Sequence, residues 1–394
     1  MKKLLTFLLM CSFPFAVNAL EKEARVMPQG GIDKALLGQI LFFDTSLSFN
    51  GSQSCATCHK ADDAFVDLRE NSIDKMVSQG ADPSKFGKRN TPTMLYAKYA
   101  PEFHYDEKSG AYVGGQFWDG RAKHLAEQAG GPPIDPSEMG MPDKRAVAER
   151  LLYNPMYFQT FSKLYGEQVW QSVDSVYAAM EDALATFQTE KKLLAPFDSK
   201  YDKFLKNEVK LTALEEQGRQ LFFDKHKTNC SNCHQLHEES NHQEETFTNY
   251  RYYNIGVPKN KRLIMHNNFA PDFVDNGLSD NPAVNGDMRQ KGKFKVPTLR
   301  NVAVTAPYMH NGVFKDLHSV LMFLNHFNNA DDNKALTDSP PWGEAEYALT
   351  IDYKDLDAPP LSNADIQALI AFLETLTDER YEPLLRRIKN QKNE

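Results

Sequence analysis

The sequence predicts a mostly α-helical protein made of two similar halves, with long loops between its helices. Three observations carry this prediction. The pattern G-x-x-L-F-F-D occurs twice, beginning at Gly38 and at Gly218, which indicates an internal duplication. Apolar residues recur at helical spacing through much of the chain, whereas strand-like alternation is rare. The polar stretch 235–288 is rich in Asn, Asp, Gly and Pro, which predicts a long ordered loop.

The helices follow from apolar spacing and from capping residues. Residues 145–152 and 172–192 carry apolar side chains three and four residues apart. Thr212, with Glu215 three residues later, predicts the start of another helix, and Ser362 is the expected cap of a last one. One helical run ends and another begins between residues 195 and 207. We therefore place the boundary between the halves at residues 196 and 197, which gives the domains 20–196 and 197–394.

The first residues have the pattern of a secretory signal peptide, 1–19. Lys2 and Lys3 precede a short apolar run, and cleavage is expected after Ala19. Cys11 suggests lipid attachment as an alternative, but Met10 before it fits that signal poorly. The apolar run is too short to span a bilayer and no later stretch is long enough, so no transmembrane segment is predicted.

Each half contains one C-x-x-C-H motif. Cys55, Cys58 and His59 form the first, and the second consists of three further residues with the same spacing: Cys230, Cys233 and His234. This is the attachment signature of a c-type haem, in which two thiols add to the vinyl groups and the His binds iron. A four-Cys zinc site is the alternative, but the two pairs lie about 175 residues apart, far outside zinc-ribbon spacing.

The cysteine count agrees with two haem sites. Five Cys are present, and once Cys11 is removed with the signal peptide the other four all lie in the two motifs. No thiol is left for a structural disulfide. The sequence thus predicts two covalently bound haem c groups in two cytochrome c-like domains. It also predicts export to a bacterial periplasm, where such haem is attached.

The net charge limits the classes of partner. The formal charge is −8 and becomes more negative when Lys2 and Lys3 are removed. An acidic surface argues against nucleic acid and against anionic membrane surfaces as partners. It is compatible with a basic protein partner without identifying one.

Further motifs accompany the haem signatures over nearly the whole mature chain. They are R-N-T-P-T at 89–93, F-W-D-G-R at 117–121, the stretch 128–138, V-P-T-L-R-N at 296–301 and T-A-P-Y-M-H-N-G at 305–312. With them, the chain resembles the bacterial di-haem cytochrome c peroxidases, and within that superfamily the MauG-type branch. The resemblance implies a peroxide-reacting haem in the N-terminal half and an electron-transfer haem in the C-terminal half.

The resemblance also implies roles for residues between the haems. Trp118 matches a tryptophan that relays electrons, although a core aromatic is the commoner role of a Trp. A calcium ion lies between the haems in this family, and Asn90, Thr305 and Pro307 occupy its ligand positions. From residue type alone these three are turn residues.

On the open face of the peroxide-reacting haem, the MauG-type branch has Gln, Pro and Glu at spacings of four and six. Gln128, Pro132 and Glu138 reproduce that spacing. A carboxylate there takes a proton from the near oxygen of peroxide and returns it to the far oxygen. Without the resemblance, Glu138 is expected to be a solvated residue at the start of a helix.

The first haem separates the branches of the family. Peroxidases carry a second His ligand in a loop shortly after the first motif, but no His occurs here between His59 and His104. His104 lies in a loop rich in Tyr and Phe and is expected to be packed or at the surface. The first iron is therefore predicted to have His59 on one side and an open or water-bound site on the other.

The second haem departs from the family. Its sixth ligand lies seventeen residues after Pro307, where peroxidases have Met and MauG has Tyr; here that residue is Leu324. Met322 and His326 flank it on a predicted helix. An offset of two residues turns a side chain by about 200°, so neither replaces the ligand without a local shift. The alternatives are an open or water-ligated iron, His326, and Met322 or another residue.

Three functions are compatible with the sequence. In the first, the protein is MauG-like and uses hydrogen peroxide to oxidise a partner protein, as in maturation of a tryptophan-derived quinone cofactor. In the second, it is a peroxidase that reduces hydrogen peroxide with electrons from a small cytochrome c or a cupredoxin. In the third, it is an electron carrier without catalysis, which the open first haem and Glu138 argue against.

Overall fold

The computed structural model describes residues 31–328 and 342–391, so the predicted signal peptide and Cys11 lie outside the described residues. The described part is mostly helical, as predicted. Its α-helices are α1 (Lys34–Phe43), α2 (Cys55–Cys58), α3 (Leu125–Ala129), α4 (Lys144–Leu152), α5 (Pro155–Tyr165), α6 (Val173–Glu190), α7 (Lys200–Leu205), α8 (Ala213–Phe223), α9 (Cys230–Cys233), α10 (Lys261–His266), α11 (Leu317–His326), α12 (Tyr353–Leu356), α13 (Asn363–Glu374) and α14 (Glu382–Gln391).

The strands are short and form two antiparallel pairs. They are β1 (His104–Asp106), β2 (Ala111–Val113), β3 (Tyr252–Tyr253) and β4 (Phe294–Lys295). Strand β1 pairs with β2 in a hairpin, and β3 pairs with β4. Among residues 31–328 and 342–391, no helix combines the length and the apolar composition that crossing a membrane requires.

The predicted helix starts are found where the capping residues place them. Ser172 accepts a hydrogen bond from the Ser175 amide at the start of α6. Thr212 and Ser362 each form a capping box at the starts of α8 and α13. These caps satisfy amides that would otherwise lack a partner in the first helical turn.

The first copy of the repeated pattern forms a close crossing of α1 over α6. A Cβ atom on Gly38 would lie 1.9 Å from the carbonyl oxygen of Ala183, so only glycine fits. One turn later, Phe42 packs against Phe187 with 5.3 Å between the ring centroids. The glycine lets the helices approach, and the aromatic pair fills the space beside the contact.

The second copy forms the same crossing of α8 over α13. A Cβ atom on Gly218 would lie 1.9 Å from the carbonyl oxygen of Ala368. Phe222 packs against Phe372, again with 5.3 Å between the centroids. The repeated sequence therefore specifies a repeated helix contact. Duplication as its evolutionary origin stays a prediction.

Two hydrophobic cores correspond approximately to the predicted halves. The first is built mainly from residues between Ile32 and Phe197, and the second from residues between Tyr201 and Leu376. The C-terminal segment returns to the first core, where Tyr381 and Leu384 are buried. The change of core lies near residues 196 and 197, but the domain limits themselves stay a prediction.

The stretch 235–288 is more structured than predicted. It contains β3 and the short helix α10, whose cap Asn260 accepts a hydrogen bond from the Leu263 amide. Asn260 also donates to the carbonyl of Asn311, about fifty residues away in sequence. Contacts with distant segments thus impose order on a stretch whose composition favours loops.

Candidate active site at the two haem-attachment motifs

The first C-x-x-C-H motif forms the short helix α2, and His59 follows it directly. The His59 Nδ1–H donates to the carbonyl oxygen of Phe65 at 3.0 Å. This bond fixes the tautomer and leaves the lone pair on Nε2, which has no hydrogen-bond partner in the described chain. Such a second hydrogen bond is the usual support of a metal-binding His.

The second motif repeats this arrangement at α9. The His234 Nδ1–H donates to the carbonyl oxygen of Phe247 at 3.1 Å, and the Pro297 backbone also lies within hydrogen-bonding reach of the ring. Burial lowers the pKa of His59, and lowers the pKa of His234 to about 4. Both imidazoles are therefore neutral near pH 7, which is the form that binds iron.

The four thiols complete both sites. None forms a disulfide, and Cys55 and Cys230 pack against the first and second cores respectively. Burial raises the pKa of Cys55, Cys58 and Cys233 to about 12. A pair of protonated thiols, a neutral His held through Nδ1 and adjacent apolar side chains fit one covalently attached haem at each motif.

Glu138 is held in a tightly bonded turn that begins at Pro132. The Pro132 carbonyl accepts from the Met139 amide at 3.2 Å, and the Asp135 carbonyl accepts from the Glu138 amide at 3.0 Å. From outside the turn, the Ala81 amide donates to the Glu138 carbonyl at 2.7 Å. The backbone of Glu138 is thus fixed from two sides, rather than forming the solvated helix start that residue type alone suggested.

The carboxyl group of Glu138 lies beside the first haem motif. Its charge raises the pKa of the Cys55 and Cys58 thiols. Burial, supported by the charge of Asp135 and opposed by Arg121, raises the pKa of Glu138 itself to about 7. The carboxyl group therefore exchanges a proton readily near neutral pH, which is what a general acid–base group requires.

Gln128 lies in α3 and leads into the same turn, since the Gly131 amide donates to the Gln128 carbonyl at 3.1 Å. Within residues 31–328 and 342–391, neither the Gln128 amide nor the Glu138 carboxyl has a side-chain hydrogen bond. The structure thus places Gln128, Pro132 and Glu138 in one segment, with two polar groups free to contact a ligand. Their roles stay a prediction.

Trp118 lies between segments of the two halves. Its Nε1–H donates to the Asn90 carbonyl at 2.8 Å, and its own carbonyl accepts from the Lys295 amide of β4 at 2.8 Å. The indole is therefore held by the N-terminal half while its backbone is paired with the C-terminal half. This position is compatible with the predicted relay between two haems.

A buried ion-pair network next to Trp118 escaped the sequence reasoning. Arg89 contacts Asp119 at 2.6 Å and Asp275 at 2.6 Å, and all three side chains are less than 10% exposed. Burial alone would raise the pKa of Asp119 and of Asp275, but Arg89 lowers the pKa of Asp275, and Arg89 together with Arg121 lowers that of Asp119. Arg89 and Asp119 lie in motifs of the resemblance, whereas Asp275 lies in the predicted loop without a local signal.

The segments that carry the predicted calcium ligands are joined by a backbone hydrogen bond. The Asn90 amide donates to the carbonyl of His310 at 2.7 Å, which brings Asn90 against the turn that contains Thr305 and Pro307. The Asn90 side-chain amide donates to the Met76 carbonyl at 3.0 Å, and its Oδ1 accepts no hydrogen bond within the described residues. The donor set fits a calcium ion, whose assignment stays a prediction.

Helix α11 carries the three residues considered at the second iron. Met322 packs against the second core, which also contacts Cys230. The His326 ring instead lies next to Phe327 and Trp342, at centroid distances of 5.7 and 5.8 Å. Leu324 is partly buried. The sixth ligand of this iron remains open among the predicted alternatives.

His104, the first His after the first motif, is exposed in β1, and its Nδ1 lies 2.8 Å from the Glu102 carbonyl. It therefore lies at the surface, one of the two locations expected from the sequence. This placement agrees with an open face on the first iron.

Comparison with known proteins decides the family. The pattern of the di-haem cytochrome c peroxidase family matches residues 32–210. The chain is 46% identical over 354 residues to the methylamine utilization protein MauG of Paracoccus denitrificans, an alignment that covers 89% of this chain and 90% of that protein. The chain belongs to the di-haem cytochrome c peroxidase family. The resemblance to its MauG-type branch is thereby confirmed.

Other members of the family are also similar to this chain. The cytochrome c551 peroxidase of Nitrosomonas europaea is 31% identical, over 75% of this chain and 74% of that protein. Among solved structures, the diheme peroxidase BthA of Burkholderia thailandensis matches with a TM-score of 0.79 and 31% identity, over 90% of this chain and 88% of that one. The protein is thus a peroxidase-type oxidoreductase built for two haem groups.

Proposed function

We propose that this protein uses hydrogen peroxide at its first haem to oxidise a partner protein in the bacterial periplasm. The observation that carries the proposal is the environment of Glu138. Its carboxyl group has a pKa of about 7, lacks a hydrogen-bond partner in the described chain and lies beside the first C-x-x-C-H motif. When bound, haem c supplies the iron at which peroxide is reduced.

Glu138 manages the protons of this reaction. Its carboxylate accepts a proton from the oxygen of peroxide nearer the iron and returns it to the farther oxygen, which leaves as water. A positioned acid–base group of this kind typically contributes about 10²–10⁴-fold to a rate. Gln128 donates a hydrogen bond from its free amide to the bound peroxide and orients it for this transfer.

Trp118 conducts electrons between the halves of the protein. Its indole N–H is bonded to a backbone carbonyl, which cannot accept a proton, so the indole keeps its proton when it gives up an electron. A side chain that loses an electron but keeps its proton and its hydrogen bond is readily reduced again. This property suits a relay rather than a stable radical site.

The substrate is a partner protein whose aromatic side chains are oxidised, including the maturation of a tryptophan-derived quinone cofactor. The 46% identity to a protein named for methylamine utilization supports this assignment. The lack of a His between His59 and His104 supports it as well, because the fully oxidised protein then needs no ligand to leave before peroxide binds.

The test is the addition of stoichiometric peroxide to the fully oxidised holoprotein while the haem absorption spectrum is followed. We expect a rapid change to a long-lived oxidised form, without prior reduction. A reaction that begins only after one haem has been reduced would contradict the proposal and favour a peroxidase that consumes peroxide.

One observation favours that second function. Leu324 stands where the resemblance to the MauG-type branch implies a Tyr, and a leucine side chain could not ligate an iron held at His234 or help to retain a second oxidising equivalent. A protein that passes each equivalent on at once would act with a small cytochrome c or a cupredoxin as donor. Rapid steady-state peroxide consumption with either reduced donor would identify this function.

A calcium ion held by the Asn90 side chain and by the Thr305 and Pro307 carbonyls completes the proposal. These groups belong to both halves, so together they would hold the ion and keep Asn90, and with it the Trp118 contact, against the second half. Removal of calcium with a chelator should slow electron transfer between the haems while both covalent haems remain attached. Unchanged transfer in a protein shown to be free of calcium would argue against this site.

A further inference from the structure

A surface hairpin close to Trp118 presents an exposed tyrosine. Tyr105 lies in β1 and is 46% exposed. Its ring meets that of Tyr112 in β2 edge to face, with 5.0 Å between the centroids. The hairpin thus holds two phenols in contact at the surface.

From this hairpin, aromatic rings continue into the protein. Tyr112 stacks on Phe103 at 5.5 Å with an interplanar angle of 8°. Phe103 is buried and meets Tyr252 at 6.0 Å. Four rings therefore form an unbroken series of contacts from the surface to the buried phenol of Tyr252.

The inner end of the series reaches the Trp118 segment. Tyr252 of β3 lies opposite Lys295 of β4, whose amide donates to the Trp118 carbonyl at 2.8 Å. The Tyr252 hydroxyl lies against Gly120, where an added Cβ would be 2.0 Å from it. Tyr252 is thus a direct neighbour of the segment that carries the predicted relay.

The proton partners differ along the series. The Tyr252 hydroxyl donates to the Gly114 carbonyl, and the Trp118 N–H donates to the Asn90 carbonyl. Neither carbonyl can take a proton, so neither of these two rings is stable after it loses an electron. The exposed Tyr105 can release its proton to water, which makes it the place where an oxidising equivalent comes to rest.

We propose that the series Trp118, Tyr252, Phe103, Tyr112 and Tyr105 conducts oxidising equivalents to the surface, where Tyr105 oxidises a phenol of the partner. This inference rests on the proposed function, which supplies the oxidant. It adds a point of action that is separate from both haem sites, and a substrate class, the phenol side chain.

The electrons and protons balance. One peroxide takes up two electrons and two protons and becomes two waters. For each electron, Tyr105 gives one electron inward and one proton to water, and then recovers one of each from a substrate phenol. Two substrate phenoxyl radicals join through a new carbon–carbon bond. The coupled product has therefore lost two electrons and two protons in total, which matches the two electrons and two protons taken up by one peroxide. Without a partner, Tyr105 residues of two molecules of this protein couple in the same way.

The experiment treats the holoprotein with stoichiometric peroxide and a nitroso spin trap, and locates the adducts by peptide mass spectrometry. Tyr153 is the matched control because it is 78% exposed and no aromatic ring contacts it within the described residues. We expect adducts at Tyr105 to exceed those at Tyr153. Equal labelling of the two residues, or more labelling at Tyr153, would mean that solvent exposure alone determines where adducts form. That result would overturn the inference.

A second variant tests the path rather than the endpoint. Tyr112→Leu keeps Tyr105 but removes the ring between it and Phe103, and Tyr112 is only partly buried, so the hairpin tolerates the change. We expect loss of the Tyr105 adduct with an unchanged peroxide response of the haem spectrum. A Tyr105 adduct that persists in a folded Tyr112→Leu protein contradicts conduction through this series.

The haem spectrum separates the two possible failures. If the haem responds to peroxide but Tyr105 stays unlabelled, the inference is wrong and the proposed function stands. If the haem does not respond to peroxide in any oxidation state, the proposed function is wrong and this inference falls with it.

Discussion

The two haem-attachment motifs are built alike but surrounded differently. Each follows a helix with the same glycine crossing, and each places its His Nδ1 on a backbone carbonyl about 3 Å away. What differs is the acidic side chain next to each motif, Glu138 at the first and Glu245 at the second.

Both carboxylate oxygens of Glu245 accept hydrogen bonds from backbone amides. Its carboxylate accepts hydrogen bonds from the amides of Leu236, His237 and Phe247, at 3.0, 3.0 and 2.8 Å. It thereby shapes the loop whose Phe247 carbonyl holds His234. Nearby, the buried Arg300 donates to the Glu245 carbonyl and is paired with Asp202 at 2.6 Å.

Glu138 has no such partners, although its backbone is fixed. A partly buried carboxyl group without hydrogen bonds has its protonated form stabilised, and with the added charge of Asp135 the pKa of Glu138 rises to about 7. The comparison teaches that an acid near a haem motif supports structure when its oxygens are occupied, and is available for chemistry when they are not.

The largest expected effect follows from removing the free carboxyl group. Glu138→Gln keeps the size of the side chain but cannot accept the peroxide proton. We expect the rate of the haem spectral change with peroxide to fall by about 10²–10⁴-fold. Stopped-flow absorbance on the oxidised protein measures it.

Glu245→Gln is the matched control at the other motif. It replaces a carboxylate that accepts three amide hydrogen bonds, each worth about 1.5–3 kcal/mol when the acceptor is charged. We expect a lower melting temperature and an unchanged peroxide rate. A large loss of peroxide rate in this variant alone would reverse the assignment of the two haems.

The next effect is a pH dependence that belongs to the first site alone. The pKa of Glu138 is raised to about 7, so the carboxyl group holds its proton below that pH and is a carboxylate above it. Since the carboxylate is the form that accepts the peroxide proton, the rate should rise with pH through about 7 and level off above. Glu138→Gln should remove this titration, whereas a profile that keeps it must come from another group.

A third prediction tests the likeness of the two halves. Gly38→Ala and Gly218→Ala each force a Cβ to within 1.9 Å of a backbone carbonyl oxygen. Overpacking of this kind costs about 1–3 kcal/mol or more, and we expect similar losses of thermal stability in both. Gly87→Ala is the control, because its added Cβ meets nothing closer than 3.5 Å. A loss of thermal stability in only one of the two variants would show that the equivalent helix crossings contribute unequally to stability.

Sequence reasoning located helix starts because their determining contacts are local. The caps at Thr212 and Ser362 depend on residues within a few positions of one another. The two C-x-x-C-H motifs are local patterns as well, and the haem assignment of their residues stays a prediction. The chemistry of Glu138 does not depend on local contacts alone, since Ala81 holds its backbone from 57 residues away. The partners of Arg89 lie 30 and 186 residues along the chain. No local sequence pattern indicates such pairs. The motifs therefore predicted where the site lies, whereas its electrostatics can be described only once the fold is known.

The smallest effect on peroxide chemistry is expected at the second haem. Leu324→Tyr supplies a phenol at the position where MauG has its ligand, and Leu324→Phe is the control of similar size without the hydroxyl. We expect Leu324→Tyr alone to change the low-temperature EPR signal of the second ferric haem.

Because Glu138 lies in the other half, the rate of the first reaction with peroxide should stay the same in both variants. The oxidised form should last longer in Leu324→Tyr, since a phenolate ligand stabilises the more highly charged iron. An unchanged EPR signal in a folded Leu324→Tyr protein would mean that another residue, such as Met322 or His326, already occupies that face of the second iron.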